Sequence, residues 1–255
     1  ASIKDMEAIQ ESKLFIFTSL EIDTWIKDAS TIGGKDTIVM NLSEFAEEQP
    51  HDHSHTMQRA STLEIEDDHN HDDMLHYWVD PMIAIDLIDS ILEKIVAIDP
   101  ENTEFYTENA HAYMHEIHEV HDSFDELVQG LVNPPTIYFA GHNALGLFGE
   151  RYHINILSFF ENFKPDAELT ATELINFSEA VRNANVHILF IEELVEPRAA
   201  RSIQQELLDK YQYPLDLYVL HGYHNLNKAE MEDGLSYLAL YERNIEYLTL
   251  ALLAS

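Results

Sequence analysis

The chain has 255 residues, 45% of them hydrophobic, which is enough for one large or two medium cores. Its 47 acidic residues against 14 basic ones give a formal charge of −33. Nucleic acid and anionic membrane surfaces are therefore excluded as partners, whereas divalent cations are attracted. The absence of cysteine excludes thiolate metal sites, iron–sulfur clusters and disulfides, so any zinc site must be built from His, Asp and Glu. No apolar run reaches the 18 residues of a membrane span, and no secretory apolar region opens the chain, since residues 1–10 are mixed and polar. The charge itself reads first as a solvated acidic surface of the kind found in saline habitats, and the low lysine content agrees with that.

In chain order, residues 5–12 read as a helix, Lys13 to Thr18 as a short buried strand, Glu21 to Lys27 as a second helix, and Thr37 to Met40 as a strand. Residues 42–73 are polar, rich in His and Asp and lack an apolar period, which predicts a long mobile loop. Pro81 suits the first turn of a helix with Asp80 as its cap, and Ile83, Leu87, Ile88, Ile91, Leu92 and Ile95 supply the apolar stripe. After Asp99-Pro100 a single helix is predicted from about Glu101 to Leu131, long enough to act as a spine between two lobes. Beyond Asn133-Pro134-Pro135, strands at 136–139, 154–159, 187–191 and 215–220 alternate with helices at 144–152, 171–184, 197–210 and 235–252. Alternation of this kind implies a parallel α/β sheet, with ligands at the carboxyl ends of its strands. The expected division is an N-terminal α/β lobe over 1–100, the spine helix over 101–132, and a C-terminal α/β lobe over 133–255.

Three histidines sit where a metal ligand is expected. His76 precedes the helix at Pro81, His142 follows a strand and Gly141, and His224 follows the last strand in Leu220-His221-Gly222-Tyr223-His224. Imidazole is the commonest protein ligand of zinc. His221 competes with His224 for that role. Glu193, with Glu192, follows an apolar strand and reads either as a partner orienting a ligating histidine or as a solvated pair. His51, His53, His55, His69 and His71 form a tract suited to weak, exchangeable zinc capture. His111, His115 and His118 lie at helical spacing on the long helix and read mainly as a solvent-facing stripe.

The segment Leu75-His76-Tyr77-Trp78-Val79-Asp80-Pro81 resembles the H-V-W-L-D-P signature of the metal-binding solute-binding proteins of ABC importers that take up zinc and manganese. Ile98-Asp99-Pro100-Glu101-Asn102 with Tyr106 and Asn109-Ala110 is similar to the opening of that group's spine helix. Gly141-His142-Asn143-Ala144-Leu145-Gly146 is similar to its H-x-A-[FL]-x-Y loop, with Leu147 where an aromatic is usual. Pro165 to Glu168, Glu192-Glu193 and Tyr237 to Asn244 match further positions. The resemblance implies a two-lobed, periplasmic-binding-protein-like α/β fold with a helical backbone. It implies zinc (manganese as the alternative) held by His76, His142 and His224, delivery to a membrane permease, an extracytoplasmic location, a monomer, and a carrier rather than an enzyme. It also implies that the family's opening strands and first histidine ligand, in a D-P-H-x-Y-E-P segment, lie ahead of Ser2-Ile3-Lys4-Asp5, so that the first lobe is incomplete here. His224 stands where the family usually has a carboxylate. Two other classes remain. His69-Asn70-His71-Asp72-Asp73 approaches the H-x-H-x-D-H motif of metallohydrolases, but Met74 replaces the last histidine; the other class is a surface adhesin.

Overall fold

The computed structural model describes residues 1–47, 73–132, 135–142, 144–160 and 170–254. The five histidines of the tract at 51–71, Asn143 and the segment 165–168 lie outside the described residues. The chain divides into two compact units, residues 1–77 with 82–114 and residues 78–81 with 115–255.

In the first unit, helix α1 (Ile3–Glu11) starts at a reciprocal cap, with the Ser2 and Asp5 side chains each bonding the other's backbone N–H. Strands β1 (Leu14–Phe17) and β2 (Ile38–Asn41) pair in parallel. Between them lies α2 (Ala29–Ile32), and after them α3 (Ser43–Glu47). Phe17, Ile26 and Ile32 form the core here, with Met6, Ile9, Phe15 and Val39 packed against it. Two expectations are corrected. Residues 21–27 are turns rather than a helix, because Asp23 accepts the Thr18 N–H at 2.8 Å and the Trp25 indole N–H at 3.2 Å, bonds that compete with a helical ladder. The polar stretch from Leu42 begins with α3 rather than with loop.

The segment Asp73–Val79 is a 3-10 turn kinked at His76, whose φ of −102° and ψ of 40° are not helical. Helix α4 (Pro81–Ile98) follows as predicted from Pro81. A short 3-10 turn at Pro100–Asn102 then leads into α5 (Thr103–Gln129), an unbroken helix of 27 residues that contributes to both units.

The second unit holds a parallel sheet in the order β4-β3-β5-β6. Its strands are β3 (Thr136–His142), β4 (Asn155–Phe160), β5 (Ile188–Glu192) and β6 (Asp216–Leu220). Its helices are α6 (Gly146–Tyr152), α7 (Ala171–Asn183), α8 (Arg198–Tyr211), α9 (Lys228–Glu232) and α10 (Tyr237–Ala254). Alternate strand residues face opposite ways, and both faces are apolar, as a parallel sheet covered on both sides requires. Tyr138, Leu189 and Ile191 join Val181 of α7 and Ile203 and Leu207 of α8 in one core. On β6, Tyr218 turns the other way and meets Tyr247 of α10, ring centroids 4.8 Å apart. Since β4 lies to one side of β3 and β5 to the other, the strand order reverses between β3 and β5. Ligand sites of open α/β sheets lie at the carboxyl ends of the strands flanking such a reversal. Here those ends are His142 and Glu192.

Candidate metal centre

Sequence reading placed His142 in a loop; it is instead the last residue of β3, beyond a register shift that falls between Phe139 and His142. The irregularity carries its side chain against β5. His142 Nδ1 lies 2.9 Å from Glu192 Oε1, and the two side chains are 8% and 10% exposed. The His142 backbone N–H also faces Glu192 Oε2, at 3.4 Å. The contact lacks hydrogen-bond geometry at Nδ1, but a carboxylate that close favours the hydrogen on Nδ1 and leaves the Nε2 lone pair for a metal. Of the two adjacent glutamates, Glu192 is the one in close contact with His142.

The last strand runs into His221-Gly222-Tyr223-His224. His224 Nδ1 lies 3.2 Å from the Gly222 carbonyl oxygen and 3.7 Å from Glu193 Oε1, both acceptors, so its hydrogen sits on Nδ1 and its lone pair on Nε2. The His142 and His224 rings meet edge to face with centroids 6.4 Å apart. Gly222 is required by close approach: a Cβ there would stand 2.7 Å from His224 Nδ1. Glu193 is 7% exposed, and its Oε1 has no hydrogen-bond partner among the described residues. A nearly buried carboxylate without a hydrogen-bond partner is costly unless a cation offsets it, so the donors here fit a divalent metal.

His221 differs from its neighbour. It is fully buried, and its Nδ1 accepts the Tyr223 N–H at 2.8 Å. In that bond its hydrogen lies on Nε2, which is buried and has no hydrogen-bond partner among the described residues. Burial holds its pKa below the ordinary imidazole value, opposed in part by the Glu193 charge.

His76 belongs to the first unit, whereas His142, Glu193, His221 and His224 belong to the second. Among the described residues, no group of three His, Asp or Glu side chains stands ready to hold a metal ion. The stripe on α5 is solvent-facing as expected: His115 pairs with Glu119 at 3.5 Å and His118 with Asp122 at 3.3 Å, all well exposed. Sequence reading missed two residues. Trp78 donates its indole N–H to the Gly222 carbonyl at 2.8 Å, and Asn244 bonds His221 twice. An asparagine within the apolar run of α10 was the available signal for the second.

A parallel α/β fold with one long helix is shared with solved structures, among them a metal-dependent lipoprotein and a Zn(II)-bound domain. YcdH of Bacillus subtilis superposes with a TM-score of 0.72 at 22% identity, over 99% of this chain and 85% of that one. The Zn(II)-bound ZnuA-like domain of Streptococcus pneumoniae AdcA superposes with a TM-score of 0.71 at 19% identity, over 98% and 84%. The chain belongs to the ZnuA family, zinc-uptake complex component A, periplasmic, whose profile matches residues 1–251. That family is one of uptake components and not of enzymes. Among relatives, the zinc-binding protein AdcA of Streptococcus pyogenes serotype M3 is 25% identical over 256 residues, 98% of this chain. The chain spans about half the length of that relative, 48%. No helix among the described residues is long and apolar enough to cross a membrane.

Proposed function

We propose that this chain captures zinc outside the cytoplasm and hands it to an ABC permease, with His76, His142 and His224 as ligands through Nε2. The observation that carries the reading is the His142–Glu192 contact at 2.9 Å between nearly buried side chains, which favours the Nδ1–H tautomer of one ligand before metal arrives. A donor set rich in imidazole favours zinc over manganese, which prefers carboxylates. In this reading, residues 1–100 and 133–255 are the two lobes and 101–132 the helix that links them. Glu193 lies next to the ligands and offsets the charge of the dication. The acidic surface concentrates divalent cations near the protein.

Calorimetric titration with zinc tests the proposal. One equivalent binds tightly to the chain, His142→Ala loses at least tenfold in affinity, and His115→Ala on the exposed face of α5 binds as the parent does. Equal affinity in the parent and His142→Ala would sink the assignment.

A further inference from the structure

Asn244 lies on α10 and is 2% exposed. A buried amide is costly unless its hydrogen-bonding capacity is used. Here Oδ1 accepts the His221 N–H at 2.9 Å, and Nδ2 donates to the His221 carbonyl at 2.8 Å and to the Tyr223 hydroxyl at 2.7 Å. His221 follows β6, the edge strand of the sheet. The side chain of Asn244 thus supplies to one residue the donor and acceptor that a further strand would supply.

The turn beyond needs holding. Tyr223 adopts a left-handed conformation, φ 61°, which costs a non-glycine residue about 1–2 kcal/mol. Its ring packs on Tyr237 with centroids 4.8 Å apart, and the Tyr237 hydroxyl donates to the Trp78 carbonyl at 3.1 Å. Trp78 in turn donates to the Gly222 carbonyl, the same oxygen that receives His224 Nδ1. Asn244 on one side and Trp78 on the other clamp the four-residue turn, and the clamped Gly222 carbonyl sets the tautomer of His224.

We propose that Asn244 is a positioning residue of the zinc site: by fixing the His221-Gly222-Tyr223 backbone it aims the Gly222 carbonyl at His224 Nδ1 and so keeps the His224 lone pair on Nε2. This rests on the assignment of His224 as a ligand. Asparagine is specific in the role. Aspartate would keep the shape but lose both donated bonds and turn a charge toward the His221 carbonyl. Alanine would lose all three bonds.

The test has two readouts on the full chain at pH 8, for the parent, Asn244→Ala, Asn244→Asp and Leu207→Ala. Leu207 is a fully buried core residue away from the turn, so its truncation controls for lost stability alone. The first readout is the nitrogen-15 shifts of the His224 ring in the metal-free protein. The parent shows the Nδ1–H form, Leu207→Ala matches it, and both Asn244 variants show a mixture of tautomers. The second is zinc affinity by calorimetry, which falls about 10- to 100-fold in both Asn244 variants and stays near the parent value in Leu207→Ala. A single Nδ1–H form in folded Asn244→Ala would overturn the proposal, and so would equal losses in Leu207→Ala and Asn244→Ala. If the parent binds no zinc, the ligand assignment fails, and the metal-free spectra still decide whether Asn244 fixes the ring. If neither Asn244 variant folds, Tyr223→Phe, which removes one of the three bonds, takes their place. A single Nδ1–H form and unchanged affinity there overturn the proposal.

Discussion

Arg151 grips Asp80 through one edge of its guanidinium: Nη2 lies 2.7 Å from Oδ2, and Nε lies 3.0 and 2.9 Å from the two carboxylate oxygens. Asp80 is nearly buried, and Arg151 sits in the last turn of α6. The pair ties residues 78–81 to the sheet-bearing unit and so supports Trp78 where it meets Gly222.

Removing one partner of such a pair leaves a buried charge unmatched, a cost of about 3–5 kcal/mol. Arg151→Ala is therefore expected to lower the unfolding free energy, read from urea titration, by that order. Arg151→Lys recovers only part of the loss, because lysine lacks the planar fork. An unfolding free energy within about 0.5 kcal/mol of the parent would contradict the role assigned to the pair.

Glu192→Gln keeps the shape beside His142 but replaces a carboxylate with a neutral amide. Zinc affinity should fall about tenfold, since the carboxylate both orients the ring and makes it a better donor. The dissociation rate in a chelator chase should rise accordingly. Unchanged release would mean that Glu192 packs against His142 without tuning it.

Gly222→Ala places a methyl group where the His224 ring now lies, 2.7 Å from Nδ1. The ring must rotate away. The variant is expected to fold with near-parent stability and to bind zinc at least tenfold more weakly. Parent-like affinity would show that His224 does not hold the metal.

Acid should destabilise the fold even without metal. His121 and His221 both have pKa values lowered by burial from the ordinary 6.5, an effect that neighbouring carboxylates oppose. A depressed histidine binds fewer protons folded than unfolded, so its contribution is fully present above pH 6.5. It is lost as the pH falls from there through the folded pKa. His121 Nδ1 also meets the Tyr152 hydroxyl at 2.8 Å, and the Tyr152 hydroxyl meets that of Tyr241. Protonation of His121 turns Nδ1 into an obligate donor to that chain. Urea titrations of metal-free protein at pH 7.5 and 5.5 should show lower stability at the acid value, and His121→Gln should reduce the difference. A flat profile would contradict the assignment.

Much of the fold was legible. The apolar runs of β3, β5 and β6 and the uninterrupted period of α5 dominate their local sequence, and Pro81 marks the start of α4. Residues 21–27 were misread because the apolar spacing of Ile22, Trp25 and Ile26 suits a helix, while Asp23 spends its carboxylate on the backbone and a neighbouring indole. The helix α9 was missed although Asn227 and Glu230 form a reciprocal cap at its start, a readable signal in a stretch too short to show a period. At the site, His142 and His224 stand out by type and by their glycines. Of their partners, the Glu192-Glu193 pair was legible as a candidate but not which glutamate meets which histidine, and Trp78 and Asn244 were not, because these contacts join residues 50, 144 and 23 positions apart. Chemistry is local in sequence, but the choice of hydrogen-bond partner is settled by strand order.

The same separation governs when the site comes into being. β3 pairs with β5 only after the chain has made α6, β4 and α7, and β6 must then dock on β5 before α10 can reach His221. Pairings so distant in the chain close slowly, because the entropy of the intervening loop is lost before any contact compensates. An unfolded or half-synthesised chain therefore lacks the oriented pair of His142 and His224. Metal that binds the finished arrangement alone slows unfolding and leaves the folding rate nearly unchanged. On the proposed ligand set, zinc is a latch applied after assembly, not a template for it.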